Sequence, residues 1–458
     1  MPVILISDAL IWLLVAGAVG SALYCRSQPH LAAPWSRVFA SRAAMASLVV
    51  LSCYLVLGLL DSVHYRQALE AKAGAKDTAY SSEVLSLLDV ALMPLRGRGE
   101  KTYSAPLATR SYQKEQVELP DGKQTREFPR LRFGGAHLAQ EENALRDIVA
   151  TIGLGLLGAA LAAVLIAFVA RRLARRWPEI PWRTAGATLA AILVLALPML
   201  LLARHYHVFG TDKVGQDVLY LSLKSIRTSL VIGTVTTLVL LPLGIALGVM
   251  AGYFKGWVDD IIQYVYTTLN SIPGVLLIAA FVLMLQMVIE RNADLFPTAA
   301  QRADVRLLGL CAILGLTSWT GLARLLRGES LKLSQLEYIQ AAQAFGVRDA
   351  RILGRHIVPN LAHIVIIALV MDFSGLVLAE AVLSYVGVGV DPSTTSFGTM
   401  INAARLEMGR EPIIWWSLAA AFAFMFVLVL AANLFADAVR DGFDPRVLVG
   451  TWVAGATA

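Results

Sequence analysis

The stretch Glu337–Asn360 reads EYIQAAQAFGVRDARILGRHIVPN and decides how the rest of the sequence is interpreted. It is amphipathic and basic, and Gly346 divides it into two short helical pieces. Pro359 opens the long apolar run that follows. The pattern predicts two short helices outside the membrane, joined by a tight turn and placed between two membrane spans. A short helix of this kind is suited to docking in a groove of a soluble partner.

The composition of the whole chain sets the class of protein. Of the 458 residues, 57% are hydrophobic and only 16% are charged, whereas soluble domains average about 25% charged residues. Such a chain is neither soluble nor disordered, and three cysteines exclude a disulfide-rich scaffold. We attribute the net charge of +6 to cytoplasmic loops, where lysine and arginine of membrane proteins concentrate, rather than to a nucleic-acid partner.

Apolar runs of about 20 residues predict an all-α polytopic membrane protein with about nine transmembrane helices. The predicted spans are Val3–Tyr24, Ala43–Leu60, Ile148–Ala170, Thr184–Ala203, Ser229–Tyr253, Ile261–Ile289, Leu307–Leu326, Leu361–Val386 and Ile413–Ala436. The stretch quoted above therefore lies between the seventh and eighth predicted spans.

The distribution of basic residues predicts which way the chain is threaded. Arg26, Arg37 and Arg42 make the first loop cytoplasmic, so the N-terminus is expected outside. Asp8 lies within the first run and no basic residue precedes it, which argues against a cleaved secretory signal. The arginine-rich loop Arg171–Arg183 is also expected inside, and nine spans then leave the C-terminal tail in the cytoplasm.

A long polar segment, Asp61–Asp147, separates the second and third predicted spans. Its apolar pattern predicts a helix over Ser82–Leu95, and Asp121–Gly122 predicts a turn between short extended pieces. We expect a small external α+β segment, for which the sequence indicates no function.

Motifs for nucleotide or metal chemistry are absent from the sequence. It contains no G-x-x-x-x-G-K-[ST] phosphate loop and no H-E-x-x-H pair. His205 and His207 would share one face of a strand, but no third ligand lies nearby, and we favour two interfacial histidines at a helix end. No metal site and no catalytic residue are predicted.

Four polar residues within the apolar runs are candidates for a translocation pathway. They are Asn270, Ser271, Asp372 and Glu380. Polar groups at membrane depth are functional candidates by default, but they also hold helices together by hydrogen bonds, and the two interpretations are evenly matched. Pro273 follows the first pair, and a kinked helix there would bend a pore.

The quoted stretch resembles the EAA loop of bacterial ABC importer permeases, specifically the C-type subunit of the dipeptide/oligopeptide (Dpp/Opp) branch. Further segments resemble that branch in order between about Thr184 and Arg446. They are HVFGTDKVGQD (His207–Asp217), GYFKGWVD (Gly252–Asp259), SIPG (Ser271–Gly274), LAEAVLSYVGVG (Leu378–Gly389) and NLFADAVRDGFDPR (Asn433–Arg446). Gln340 departs from the pattern, because it stands where the loop's namesake glutamate usually is.

The resemblance implies a domain organisation. Residues 184–458 would form a six-helix permease core that carries the EAA loop at 329–360. Residues 1–60 would add two transmembrane helices, 61–147 an extracytoplasmic segment, and 148–183 a third added helix with a basic cytoplasmic loop. These additions have no counterpart in an ordinary member of the family.

The resemblance also implies a function. The chain would be half of the translocation pathway of an ATP-driven importer of peptides or peptide-like solutes, in the bacterial cytoplasmic (inner) membrane. Its partners would be a homologous second permease, two ATP-binding subunits that hold ATP and magnesium, and an extracytoplasmic substrate-binding protein. The residues implied for ATPase coupling are Glu337, Gln340, Ala341, Ala342, Gly346, Arg355, His356 and Pro359. The residues implied for the external loop are Phe209, Gly210, Thr211 and Asp212.

Two other functions would fit parts of the sequence. An ion-coupled secondary transporter would use Asp372 and Glu380, but it would predict inverted repeats, which the sequence lacks, and would leave the EAA-like loop unexplained. A membrane receptor with Asp61–Asp147 as its sensor would need a cytoplasmic signalling domain, and no inner segment is long enough.

Overall fold

The computed structural model describes residues 2–68, 80–118, 124–296 and 298–443. The helices are α1 Ile6–Ser27, α2 Pro29–Ala40, α3 Arg42–Asp61, α4 Leu87–Ala91, α5 Met93–Arg96, α6 Ala144–Arg176, α7 Trp182–Leu202, α8 Val218–Phe254, α9 Gly256–Ser271, α10 Gly274–Arg291, α11 Ala299–Leu333, α12 Glu337–Ala344, α13 Asp349–Ile352, α14 Val358–Val386, α15 Phe397–Glu407 and α16 Trp416–Phe443. The strands are β1 Pro2–Val3, β2 His64–Ala68, β3 Tyr80–Ser86, β4 Glu115–Glu118 and β5 Gln124–Glu127.

Nine helices within these described ranges are long and apolar enough to cross a membrane. They are α1, α3, α6, α7, α8, α10, α11, α14 and α16, so the predicted all-α polytopic class is confirmed. The chain divides into two compact units. The first consists mainly of Phe39–Ser229 and Pro392–Ala431, and the second mainly of Leu5–Val38 and Leu230–Asp391.

The predicted span Ile261–Ile289 is wrong, because two helices replace it. Helix α9 ends at Ser271 and α10 begins at Gly274, and of the two only α10 qualifies as a span. Pro273 cannot donate a backbone hydrogen bond and disfavours helical geometry at the residue before it. Ile272 is accordingly extended, with ψ at 129°, and the helix is interrupted at the proline rather than merely kinked.

The predicted helix Ser82–Leu95 is wrong over its first part, which is strand β3, antiparallel to β2. The helical turn starts only after Ser86, whose side chain accepts from the Asp89 N–H at 3.1 Å while the Asp89 carboxylate accepts from the Ser86 N–H at 2.8 Å. This reciprocal cap fixes where the strand ends. The predicted Asp121–Gly122 turn lies outside the described residues, but β4 and β5 on either side of it pair antiparallel.

In the second unit, α8 and α11 approach each other at the backbone. A Cβ added to Gly248 would lie 2.6 Å from the Ala323 carbonyl oxygen and 2.9 Å from its Cα, and one added to Gly252 would lie 2.5 Å from the Arg327 carbonyl oxygen. Small residues in such a stripe allow van der Waals contact between helix backbones. Gly244, Gly248 and Gly252 are therefore packing residues.

Helix α1 is fastened to α11 in the same unit. Asp304 of α11 accepts hydrogen bonds from the backbone N–H groups of Ile6 and Ser7 at 2.9 and 3.2 Å, and from the Ser7 hydroxyl. A carboxylate from one helix thus satisfies the free N–H groups at the start of another. Trp35 of α2 packs edge-on against Phe443 of α16 with ring centroids 5.3 Å apart.

We predict that Gly248→Ala destabilises the protein, whereas Gly328→Ala does not. The methyl group added by Gly248→Ala would clash with backbone atoms of α11. Overpacking of this kind lowers the free energy of unfolding by about 1–3 kcal/mol. A methyl group on Gly328, itself in α11, meets no atom within 4 Å and raises helix propensity by about 1 kcal/mol. Thermal unfolding in detergent measures both variants. Equal unfolding temperatures for the two would contradict the backbone contact.

Candidate coupling loop and translocation site

The EAA-like loop is a helix, a left-handed turn and a second helix. Gly346 has φ at +73° and ends α12. Its N–H donates to the Gln343 carbonyl at 2.9 Å, and the Val347 N–H donates to the Ala342 carbonyl at 3.1 Å. This pair of bonds is the Schellman arrangement, in which glycine is the preferred left-handed residue. The turn predicted from the sequence is present, and its hydrogen bonds explain why glycine stands there.

Three isoleucines anchor the loop. Ile339, Ile352 and Ile357 are fully buried, in one cluster with side chains of α8 and α11. Fully burying such a side chain contributes about 1.5–3 kcal/mol. The loop is therefore held firmly to the α8–α11 contact by one face.

A polar contact supplements the isoleucines. The Tyr253 hydroxyl at the end of α8 donates to Asp349 at 2.6 Å and accepts from the Gln343 amide at 3.0 Å. One side chain of α8 thus joins α12 to α13. The end of α8 and both halves of the loop are expected to move together.

A π-helical turn over Leu353–Ile357 precedes α14. Pro359 has no N–H to give to the carbonyl of Arg355, and its ring crowds that carbonyl. The widened turn relieves this conflict, and π-turns of this kind often mark functional segments. Pro359 therefore sets the geometry by which the loop joins α14.

The opposite face of the loop is open to solvent. Glu337, Gln340, Ala341 and Arg355 are exposed, and Ala342 and His356 are half-buried. The sequence interpretation missed Phe345, whose side chain is 87% exposed. It follows Ala341 by one helical turn and lies beside Gly346, so an exposed aromatic ring stands at the tip of the loop.

We predict that Gly346→Leu impairs the loop more than Gly346→Asn. Because an added Cβ at this position meets no atom within 4 Å, the penalty comes from the backbone. A branched residue pays about 1–2 kcal/mol in the left-handed region, which asparagine tolerates. Capture of ATP-binding subunits from membranes by each variant measures the effect. Equal capture by both would mean that the turn does not matter for docking.

Asn270 and Ser271 lie at the break between α9 and α10. Together with Tyr266, Thr267 and Arg324 they line an open groove of about 400 Å³. The Thr320 hydroxyl of α11 donates to the Asn270 side-chain oxygen at 3.2 Å. The structure thus brings the first two predicted pathway residues together and adds Arg324, which the sequence interpretation missed.

An ion pair fixes α9 to α11 beside this groove. The Arg327 guanidinium donates to both oxygens of Asp259 at 2.5 Å. The hydrogen bonds from Arg327 lower the pKa of Asp259. A two-pronged pair of this kind holds a fixed orientation between the two helices.

Asp372 and Glu380, the other predicted pathway residues, do not line the groove. Glu380 is 1% exposed and accepts a hydrogen bond from the Ser384 hydroxyl at 2.6 Å. Asp372 is half-buried on the same helix, α14. The environment of Glu380 favours the packing interpretation over the pathway.

In the first unit, the external loop that follows α7 is packed against the polar segment. Thr211 accepts from the Ser104 N–H at 2.6 Å and donates to the Thr102 carbonyl at 2.9 Å. Gly210 has φ at +70°, and a Cβ there would lie 2.3 Å from the Ser104 carbonyl oxygen. The backbone of the loop at Gly210 therefore packs directly against the backbone of the polar segment at Ser104.

The remaining predicted residues of the external loop stabilise its shape. Asp212 accepts from the backbone N–H groups of Val214 and Gln216 at 2.9 and 2.8 Å. Phe209 packs edge-on against Phe424, with ring centroids 6.3 Å apart. Both residues have structural roles in the loop.

A buried histidine joins the loop to the polar segment. His207 is bonded through Nδ1 to Asp217 at 2.8 Å, and its Nε2 lies 3.6 Å from Glu100. The side chain of His207, predicted to lie at the membrane interface, is buried within the protein and 2% exposed. Burial lowers the pKa of His207, but the two carboxylates outweigh it and raise the pKa to about 9.

A second cation, half-buried, lies in the same unit. Lys224 of α8 donates to Asp61 at 2.7 Å and to both oxygens of Asp89 at 2.8 Å. Burial raises the pKa of Asp89, but the Lys224 ammonium outweighs it and holds the pKa at about 2. The contact joins the end of α3 and helix α4 to α8. No metal-binding cluster occurs among the residues that the structure describes.

We predict that stability falls as pH rises from 6.5 to 9. The folded state binds the His207 proton more tightly than the unfolded chain does, so this contribution is complete below pH 6.5 and is lost as pH rises through the folded pKa of about 9. The loss is about 3 kcal/mol at most. Thermal unfolding across this pH range measures it.

His207→Gln should flatten that pH profile, whereas His363→Gln, which removes a histidine from α14, should leave it as in the parent protein. A parent profile that stays flat between pH 6.5 and 9 would show that His207 is not held as an imidazolium.

The chain is similar in sequence to known transport proteins. Residues 244–449 match a family described as "Binding-protein-dependent transport system inner membrane component". The chain is 34% identical over 243 residues to the glutathione transport system permease protein GsiD of Pectobacterium atrosepticum. The aligned region covers 53% of this chain and 73% of that protein. It is 30% identical over 282 residues to the oligopeptide transport system permease protein OppC of Mycobacterium tuberculosis, covering 57% and 90%.

A solved structure of the MetNI methionine ABC transporter, in inward-facing conformations, superimposes on 50% of this chain and 98% of its own. The TM-score is 0.36 and the sequence identity is 16%.

Proposed function

Because the chain belongs to the binding-protein-dependent transport system inner membrane components, we propose that its Glu337–Pro359 loop couples an ATP-binding subunit to the membrane helices. The chain is a permease subunit of an ABC importer and not an enzyme, since in these systems the ATPase is a separate subunit. The coupling residues would be Glu337, Gln340, Ala341, Ala342, Gly346, Arg355, His356 and Pro359, with Phe345 added.

The observation that carries this proposal is the two-sided character of the loop. Its inner face is clamped by Ile339, Ile352 and Ile357 to the α8–α11 contact, while its outer face offers Phe345 to solvent. A loop that is packed against membrane helices on one side and exposed on the other would pass a movement of a bound partner on to those helices. Movement of the ATPase would then shift α8 and α11 as rigid bodies and switch the pathway between inward and outward access.

The partners follow from this role. We propose a homologous second permease, two ATP-binding subunits that carry ATP and magnesium, and an extracytoplasmic substrate-binding protein. The relatives' names give glutathione and oligopeptides as their cargo, which supports a peptide or peptide-like solute for this chain. Asn270 and Ser271 would line the pathway, with Asp372 and Glu380 as weaker candidates.

The orientation is proposed from the basic loops. The N-terminus would lie outside the inner membrane and the C-terminus in the cytoplasm. The external loop with Phe209, Gly210, Thr211 and Asp212 would then face the substrate-binding protein. Residues 61–147 would lie on the same side, and their contacts with Thr211 and His207 support this. Residues 1–60 and 148–183 would carry the three added helices, and residues 184–458 the permease core.

We predict that Phe345→Ala weakens capture of the ATP-binding subunits without unfolding the permease. An aromatic anchor at the centre of an interface contributes about 2 kcal/mol or more, which corresponds to roughly a thirtyfold loss of affinity. The measurement is a mild-detergent pull-down of the tagged chain from its native membrane, followed by quantitative mass spectrometry. Leu295→Ala is the matched control, because Leu295 is 71% exposed but lies in the turn between α10 and α11.

Recovery of a second permease and an ATP-binding subunit, with less ATPase on the Phe345→Ala variant, is the expected result. Recovery of the chain alone, still active in proteoliposomes under an ion gradient, would instead favour a secondary transporter.

A further inference from the structure

The groove beside the break between α9 and α10 has the size of a small-ligand site. Its volume is about 400 Å³, within the range of pockets that hold small molecules. Each residue that lines it carries a polar group: Tyr266, Thr267, Asn270, Ser271 and Arg324. A polar groove between helices of a permease is suited to a hydrated solute rather than to lipid.

Arg324 gives the groove its charge. Its guanidinium lies over the ring of Tyr266, 5.4 Å from the centroid, and no carboxylate among the described residues forms an ion pair with it. Arg327, one turn further along α11, is by contrast paired with Asp259. Arg324 lies near the end of the predicted span Leu307–Leu326, and a guanidinium binds a carboxylate through two parallel hydrogen bonds.

The neighbouring side chains have hydrogen-bonding capacity to spare. The Asn270 oxygen accepts from Thr320, so the amide N–H₂ group can donate to a ligand. The Ser271 hydroxyl donates to the Thr267 carbonyl at 2.8 Å, so its oxygen can still accept. Asn270, Ser271 and Arg324 are all exposed to solvent. The groove therefore offers a cation and an amide donor on the same side.

We propose that this groove binds the terminal carboxylate of a peptide during its passage, with the Arg324 guanidinium as the carboxylate ligand and the Asn270 amide as a second donor. The proposal rests on the proposed function, because it takes the solute to be a peptide. A free carboxylate is the anionic group that every unmodified peptide carries. Tyr266 stacks on Arg324 and positions its guanidinium plane.

The test measures the charge preference of the groove directly. Ser271→Cys is introduced into a chain in which Cys25, Cys53 and Cys311 are replaced by alanine, and the complex is purified in detergent. The new thiol reacts with an anionic sulfonatoethyl and a cationic trimethylammonioethyl methanethiosulfonate. Arg324→Gln should lower the ratio of the anionic to the cationic rate by roughly fivefold. Lys332→Gln, which removes a cation further along α11, should leave the ratio unchanged.

A second measurement identifies the ligand group. Trialanine and its C-terminal amide are added as probes during labelling. The free acid should slow labelling of the parent protein, and the amide should not. Arg324→Lys keeps the positive charge but removes the two parallel donors of the guanidinium. This variant should therefore keep the preference for the anionic reagent, but trialanine should slow its labelling much less than it slows labelling of the parent protein. Equal rate ratios with and without Arg324, or equal protection by both peptides, would overturn the proposal.

The same complex is also reconstituted into proteoliposomes, in which ATP-driven uptake of trialanine is measured. Charge-selective labelling with carboxylate-dependent protection supports the groove whether or not uptake occurs. Absence of uptake in a complete complex would count against the proposed function alone, so the two failures are distinguishable.

Discussion

The close contact between the second half of α8 and α11 is the constraint on which the second unit depends. Because Gly248 lies against the backbone of Ala323, the two helices pack without intervening side chains. The isoleucines of the coupling loop pack on this contact, and α11 also carries Arg324 at the groove and Asp304 at the start of α1. The loop and the groove are therefore both attached to α11.

Much of the fold could be predicted from the sequence, because a run of apolar residues long enough to cross a bilayer is a local property. The exceptions are positions where a single residue overrides the run. Pro273 ends a helix that hydropathy alone would continue, and the reciprocal cap of Ser86 and Asp89 starts one later than the apolar pattern suggests. Both signals were present in the sequence, but each competed with a longer and stronger apolar pattern.

The candidate site could be predicted only in part. The coupling loop is one continuous stretch of sequence, so its turn at Gly346 and its boundary at Pro359 could be predicted. Arg324 meets Asn270, and Glu100 meets His207, only after folding, and no local spacing encodes such meetings. Phe345 was missed for a different reason: an apolar residue at helical spacing predicts burial, and only the structure reveals that this ring faces outward.

The cations His207 and Lys224 make the polar segment hard to exchange. Each is balanced by carboxylates that the segment or its boundary contributes, namely Glu100 for His207, and Asp61 and Asp89 for Lys224. A replacement segment without these acidic residues would leave Lys224 without Asp61 and Asp89, and His207 with Asp217 alone. Any substitute for the segment therefore has to supply carboxylates at these positions.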